Sequence, residues 1–285
     1  MYKVLLIGGC GYIGSKLIDY LINEKYFTKI IDTQWFGNKI RKNKNIQIIK
    51  KNYRDIKSSD FKMVKAVIHL ANIANDPSAE IDSKLTWEVN VLYLKKLIEL
   101  SIKNNVKKFI YASSGSVYGV KKEKRVTEEL SLFPISDYNK SKMIAERVLL
   151  SYANKIKIYS IRPATVCGYS KNMRLDVSVN MFVEQAFNKK KISLFGGKQV
   201  RPNININDLC RVIIFFLKKN IKPGIYNAGF ENLSLLNLVK IITKHVPAKV
   251  KIVKNIKDIR SYRQDSSKLI KTGFRQKFNV EDAVK

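Results

Sequence analysis

The run Val4-Leu5-Leu6-Ile7 collapses into Gly8-Gly9-Cys10-Gly11-Tyr12-Ile13-Gly14, after which apolar residues return at helical spacing. That pattern predicts a strand, a tight turn and a helix. The glycines fit two templates, Gly8-x-x-Gly11-x-x-Gly14 and Gly9-x-Gly11-x-x-Gly14, and the second is the fingerprint of a dinucleotide-binding turn. Without side chains the backbone can turn sharply and approach a pyrophosphate, while the next helix aims its unpaired N–H groups and dipole at the negative charge. Glycines also close ordinary strand–helix turns, so residues elsewhere must decide between the two uses.

A chain of 285 residues with 45% hydrophobic content can bury one large core or two modest ones. No apolar run approaches the roughly 18 residues of a membrane span. The apolar stretch behind Tyr2-Lys3 reads as a first strand rather than a secretion signal, because a glycine turn and a second element follow it. A cytoplasmic protein with no membrane partner is expected. Cys10, Cys167 and Cys210 are far apart and lack Cys-x-x-Cys spacing, so they predict buried thiols and no metal site. The formal charge of +31 could serve nucleic acid, acidic lipid or an anionic substrate. Lysines, however, run along nearly the whole chain in short clusters, with no basic stripe interleaved with aromatics. This is a solvated lysine-rich surface, and no nucleic-acid partner is expected.

Strands and helices alternate through the first 165 residues. After the opening strand and helix, Lys29-Ile30-Ile31-Asp32, Ile46-Gln47-Ile48-Ile49, Val64 to Ala71, Val106 to Ala112 and Ile156 to Ile161 read as strands, with long helices over Trp87–Lys103 and Tyr138–Lys155. Such alternation predicts an α/β, doubly wound parallel sheet of the Rossmann type, with ligands at the carboxyl ends of the strands. Asp32 ends the second strand near the roughly 20-residue spacing at which an acid meets the adenosine ribose. A carboxylate there would repel a 2′-phosphate, which favours NAD over NADP. Beyond Arg162-Pro163 the pattern loosens, with helices over Val179–Asn188, Asn207–Lys219 and Leu235–His245. Residues 1–165 are expected to form the dinucleotide-binding domain. Residues 166–285 would form a smaller mixed part, mainly for substrate, with the chain crossing back to the first.

Tyr138-Asn139-Lys140-Ser141-Lys142 places a phenol and an ammonium one helical turn apart on one face. An ordinary phenol, with a pKa near 10, is a poor base at neutral pH. An adjacent ammonium and a cationic nicotinamide stabilise the phenolate and make it a usable one. In company with a dinucleotide turn, an NAD-type acid and a strand ending in Ser113-Ser114, the pair reads as catalytic.

Seven stretches together carry a resemblance: Gly8 to Gly14, Val67-Ile68-His69-Leu70-Ala71, Asn90-Val91, Ser113 to Gly119, Tyr138-x-x-x-Lys142, Arg162 to Gly168 and Arg201 to Asp208. Over most of its length the sequence resembles the extended short-chain dehydrogenase/reductases of the NAD-dependent nucleotide-sugar epimerase/dehydratase family. The resemblance implies Tyr138 as general base on a sugar hydroxyl, Lys142 as its electrostatic partner and nicotinamide-ribose ligand, and Ser114 as a hydrogen-bonding group at the reacting oxygen. It implies NAD held at Gly8, Gly11, Tyr12, Ile13 and Gly14, with Asp32 on the ribose, Asn52 and Tyr53 near the adenine, and Leu70-Ala71-Asn72 beside the cofactor. Ser116, Asn180, Arg201 and Arg260 correspond to contacts with a nucleotide-diphosphate sugar; Arg263 is the alternative to Arg260. A homodimer through the helices of residues 87–103 and 138–154 is implied as well.

Family dehydratases carry an Asp-Glu pair after the Ser/Thr, and decarboxylases a Glu two residues after it; here those positions are Gly115 and Ser116. Without an acid the simplest remaining chemistry is epimerisation, in which a hydride is removed to NAD and returned with no net redox. A nucleotide-sugar 4-ketoreductase or dehydrogenase with net redox is the neighbouring alternative, and a non-catalytic NAD-binding module the alternative of another class. Asn52 stands where relatives have an Asp, and Thr165 and Cys167 replace the commoner Asn and Tyr, so an altered substrate-side wall is expected.

Overall fold

The computed structural model describes residues 3–253 and 261–285. The first half alternates β1 (Lys3–Ile7), α1 (Tyr12–Asn23), β2 (Phe27–Asp32), β3 (Ile46–Lys50) and β4 (Val64–His69). Short helices α2 (Asp76–Ile81) and α3 (Ser83–Trp87) lead to α4 (Tyr93–Lys103), β5 (Lys108–Ala112), α5 (Asp137–Leu150) and β6 (Lys157–Pro163). There follow β7 (Thr165–Cys167), α6 (Ser178–Lys189), β8 (Lys191–Phe195), β9 (Val200–Asn205), α7 (Ile206–Lys218) and β10 (Gly224–Ala228). The described chain closes with β11 (Glu231–Ser234), α8 (Leu235–His245), β12 (Lys249–Val253), α9 (Ser267–Lys271) and α10 (Val280–Val284).

Seven parallel strands form the main sheet in the order β10-β6-β5-β4-β1-β2-β3. Side chains alternate between its faces, and both faces are covered, as an all-parallel sheet requires. Val4 and Leu6 of β1 join Leu17, Ile18 and Leu21 of α1 and Ile213 and Phe216 of α7 in one core. Leu5 and Ile7 join Leu94, Leu97 and Ile98 of α4 and Ala145 and Leu149 of α5 in the other. The order reverses beside β1, which opens a crevice at the carboxyl ends of β1 and β4.

Among the described residues, six strands after Arg162-Pro163 are too short or too irregular to show in the sequence pattern. β10 returns to the main sheet against β6, β11-β9-β7 make a small mixed sheet, and β12 pairs with β8. A third core of Phe182, Ile192, Leu194, Leu238 and Ile242 lies beneath the small sheets. Segment 168–172 straps this part onto the glycine turn: Ser170 Oγ donates to the Tyr12 carbonyl at 2.7 Å, and Asn172 Nδ2 to that of Cys10 at 2.8 Å.

The helix expected over 87–103 is interrupted. Residues Glu88–Leu92 form a π-helical turn between α3 and α4. Its cause is Asn90, fully buried, whose amide oxygen accepts from Ile73 N at 2.9 Å while its nitrogen donates to Ile73 O and to Ser141 Oγ at 3.2 and 3.0 Å. Satisfying the buried backbone of the loop after β4 displaces one turn of helix.

His69 at the end of β4 is fully buried against Tyr53, Phe109 and Tyr111, and neither ring nitrogen has a hydrogen-bond partner. Burial, with a smaller push from the Lys142 charge, holds its pKa down at about 3. Between an unfolded value near 6.5 and that folded value, only the unfolded chain binds the proton, so stability falls as the pH falls. A loss of about 1.4 kcal/mol per pH unit is expected across that window from this group. Urea denaturation at a series of pH values, compared with His69→Phe, checks it: the substitution should remove that increment of acid lability.

Candidate active site

The glycine turn is built by close approach. Gly8 adopts φ +82°, and a Cβ there would lie 2.5 Å from Ala71 N, because the loop after β4 hydrogen-bonds back to the Ile7 carbonyl through Leu70 N at 2.8 Å and Ala71 N at 3.1 Å. Gly8 and Leu70-Ala71-Asn72 are thereby brought together. A Cβ at Gly14 would lie 2.6 Å from Gly8 O and from Gly9 Cα and O, so the third glycine seats α1 on the turn. Gly11 is the N-cap of α1, with no side-chain cap and no acid in the first turn. The first-turn N–H groups of Tyr12, Ile13 and Gly14 thus have neither intrahelical nor side-chain partners, an arrangement that suits a pyrophosphate. Asp32 is half-buried at the same edge and accepts from Cys10 N at 2.9 Å and Gln34 N at 2.6 Å.

The catalytic candidates meet across the carboxyl end of β5. Ser114 follows that strand and caps a single 3-10 turn, Gly115–Tyr118. Its Oγ accepts from Ser116 N at 3.1 Å and lies 2.7 Å from Ser116 Oγ, which itself donates to Asn139 Oδ1. Since the Ser116 proton goes to Asn139, Ser114 is the donor to Ser116. Ser136 caps α5 through Asn139 N at 3.2 Å, which starts the helix with Tyr138 in its first turn. Lys142, 2% exposed, reaches the carbonyl of Ala112 at 2.6 Å, with its Nζ 4.9 Å from the Tyr111 ring centroid and 5.9 Å from that of Tyr138. Burial lowers the Lys142 ammonium to about 7; Glu146 opposes that shift and Arg174 adds to it. An ammonium so weakly held is poised to donate to an anionic or polar neighbour.

Several other residues that the resemblance implies as contacts are already engaged within the chain. Tyr53 is 4% exposed, with its ring against His69 and Tyr93 and its hydroxyl on the Val89 carbonyl, so its side chain serves the core. Asn52 caps the turn that carries it, accepting from Arg54 N at 3.0 Å. Asn180 is buried; its oxygen accepts from Gly168 N at 3.0 Å, and its nitrogen donates to Tyr12 Oη at 3.1 Å and Arg174 O at 2.9 Å. Its amide binds this chain to itself. Arg201 lies half-buried on β9. Arg260 lies outside the described residues, and Arg263 is exposed at a surface cleft with Lys124 and Phe230.

Arg174 was not singled out by sequence reading. Asp176 holds its guanidinium through Nε at 2.8 Å and Nη2 at 3.0 Å, and Nη2 also donates to the Ala74 carbonyl at 3.0 Å, within electrostatic reach of Tyr138 and Lys142. The Arg-x-Asp spacing was the only signal of it. Cys10, Cys167 and Cys210 are all free and buried. No helix among the described residues is long and apolar enough to cross a membrane.

Residues 4–229 match the profile of the NAD dependent epimerase/dehydratase family. The chain belongs to that family. It is 26% identical over 270 residues to the UDP-glucose 4-epimerase of Lactobacillus helveticus, covering 85% of this chain and 82% of that one. The GDP-6-deoxy-D-talose 4-dehydrogenase of Aggregatibacter actinomycetemcomitans is 26% identical over 259 residues, covering 85% and 81%. Among solved structures, the UDP-glucuronic acid 4-epimerase from Bacillus cereus in complex with UDP-glucuronic acid and NAD superposes with a TM-score of 0.87 at 26% identity, covering 99% and 96%. The family is NAD-dependent, and the open helix N-terminus with Asp32 beside it fits that cofactor.

Proposed function

We propose that the protein is a redox-neutral nucleotide-sugar epimerase acting at C4 of the sugar, with NAD retained at the glycine turn. When bound, NAD supplies a reversible hydride acceptor. Tyr138, in its phenolate form, takes the proton of the sugar hydroxyl, and the Lys142 ammonium stabilises that phenolate. Ser114, whose hydroxyl proton turns from Ser116 Oγ to the sugar, donates a hydrogen bond to the oxygen of the same hydroxyl and orients it. After the keto-sugar has turned, Tyr138 returns the proton on the other face. Position 4 is the one named in both related enzymes, the epimerase and the dehydrogenase.

The observation that carries this reading is the absence of an acid on the turn beside Tyr138. Position 115 is a glycine at which a Cβ would already lie 3.0 Å from Gln264 Oε1 and Tyr262 Oη, and 3.2 Å from Pro163 O. A larger side chain there would have to displace Gln264, Tyr262 and the Pro163 carbonyl. Ser116 is held by Asn139. Elimination of water needs a proton donor and a second base, and this turn offers neither. We also propose that residues 1–165, with β10 and α7, hold the cofactor, and that the smaller part, through Arg201 and Arg260, holds the nucleotide-diphosphate sugar. The chain is taken to pair as a homodimer through segments 87–103 and 138–154, where Leu92 is exposed.

Incubation with UDP-, dTDP-, CDP- and GDP-sugars, followed by proton NMR, tests the reaction. The C4 epimer should form without added reductant, and the absorbance of reduced nicotinamide should stay unchanged. Product formation in proportion to NADH consumed would overturn the reading in favour of a 4-ketoreductase, the second reading, supported by the likeness to a 4-dehydrogenase.

A further inference from the structure

Tyr138, Lys142 and Glu146 lie at successive turns along one face of α5. Lys142 and Glu146 are 2% and 1% exposed, and a lysine and a glutamate four residues apart on a helix ordinarily pair. Here they do not. Lys142 Nζ donates to the Ala112 carbonyl at 2.6 Å, while both Glu146 oxygens are taken by Arg162 of β6: Nε at 3.0 and 3.2 Å and Nη2 at 2.7 Å, with Ser160 Oγ adding a bond at 3.2 Å. Arg162, itself 2% exposed, is fixed in turn by Tyr118, whose hydroxyl accepts from Nη1 at 2.7 Å and donates to Asn227 Oδ1 at 2.8 Å. Tyr118 ends the short turn that Ser114 begins.

We propose that Arg162 is a positioning residue for the reaction: by holding both oxygens of Glu146 it keeps that carboxylate off Lys142, so the lysine's charge acts on Tyr138. The inference rests on Tyr138 and Lys142 being the catalytic pair. Other groups facing the pair are Tyr111 on β5, His69 on β4 and Arg174 on the segment before α6. Arg174 is already paired with Asp176, and neither Tyr111 nor His69 brings a negative charge. Glu146 is therefore the anion whose neutralisation matters. Within a dry site, an unneutralised carboxylate one turn from Lys142 makes every deprotonation of the Tyr138–Lys142 pair harder.

Arg162→Gln should shift the acidic limb of the pH–rate profile upward by about one pH unit. Glu146→Gln, which leaves Arg162 uncompensated, should shift it downward. The double variant, with neither charge, should return it to the wild-type position. A merely structural role predicts losses of rate and stability without opposite shifts or rescue.

The same titration is read without turnover from the tyrosinate absorbance of the NAD complex, with Tyr138→Phe identifying the band. A wild-type complex lacking that band would refute the catalytic pair and the inference with it. A band present but unmoved, or moved the same way by both single substitutions, would overturn the role of Arg162 alone. Should Arg162→Gln fail to fold, Glu146→Gln and the double variant still decide: a downward shift that the double variant reverses supports the proposal, and no shift in either overturns it.

Discussion

Tyr138→Phe should lower turnover on the best nucleotide-sugar by roughly a thousandfold. Only the hydroxyl is lost, so the general base disappears while the ring remains in the first turn of α5 beside Lys142 Nζ. Affinity for NAD and the melting temperature should change little, because Lys142 keeps its bond to the Ala112 carbonyl. Steady-state rates, NAD titration and thermal denaturation of the same preparation check the three parts. Retention of most of the activity would remove Tyr138 from the mechanism.

The second large effect is expected at the turn. In Gly14→Ala the added Cβ meets Gly8 O and Gly9 Cα and O at 2.6 Å, all of them backbone atoms that cannot step aside. α1 must move off the turn, at a cost of about 1–3 kcal/mol in stability. Its N–H groups no longer point at the pyrophosphate, and NAD affinity should fall by more than tenfold. Gly11→Ala separates the two effects. There a Cβ meets only Gly8 O at 3.6 Å, so the free protein should melt normally while cofactor binding weakens where the pyrophosphate must approach. Calorimetry of each variant with and without NAD distinguishes them.

The glycine turn and the Tyr138–Lys142 helix face were legible in the sequence because their geometry is local. Three glycines at fixed spacing make a turn, and a phenol and an ammonium four residues apart share a helix face, whatever surrounds them. The alternating sheet was legible for the same reason, since strands buried on both faces read as apolar runs. Features set by distant partners were not. Asn90 looks like any polar residue in a helix until Ile73 is placed beside it, and only then does the π-helical turn follow. Tyr53 looked available to a cofactor but lies under α4 against His69. Asn180 carries the right chemistry for a sugar contact, yet Tyr12, Gly168 and Arg174 occupy its amide. Arg162 and Glu146 stand on different elements, so their pairing could emerge only from the packing of α5 against β6. Strands such as β7, three residues long, carry too few side chains for a period to be seen.

The central claim is that the hydride taken from the sugar is the one given back. A nucleotide-sugar deuterated at C4, incubated with the NAD-loaded enzyme and an excess of unlabelled NADH, tests it directly by NMR and mass spectrometry of the product. Retention of the deuterium at C4 of both epimers is the predicted result. Its appearance in the free nicotinamide pool, or its loss to solvent, would contradict the account.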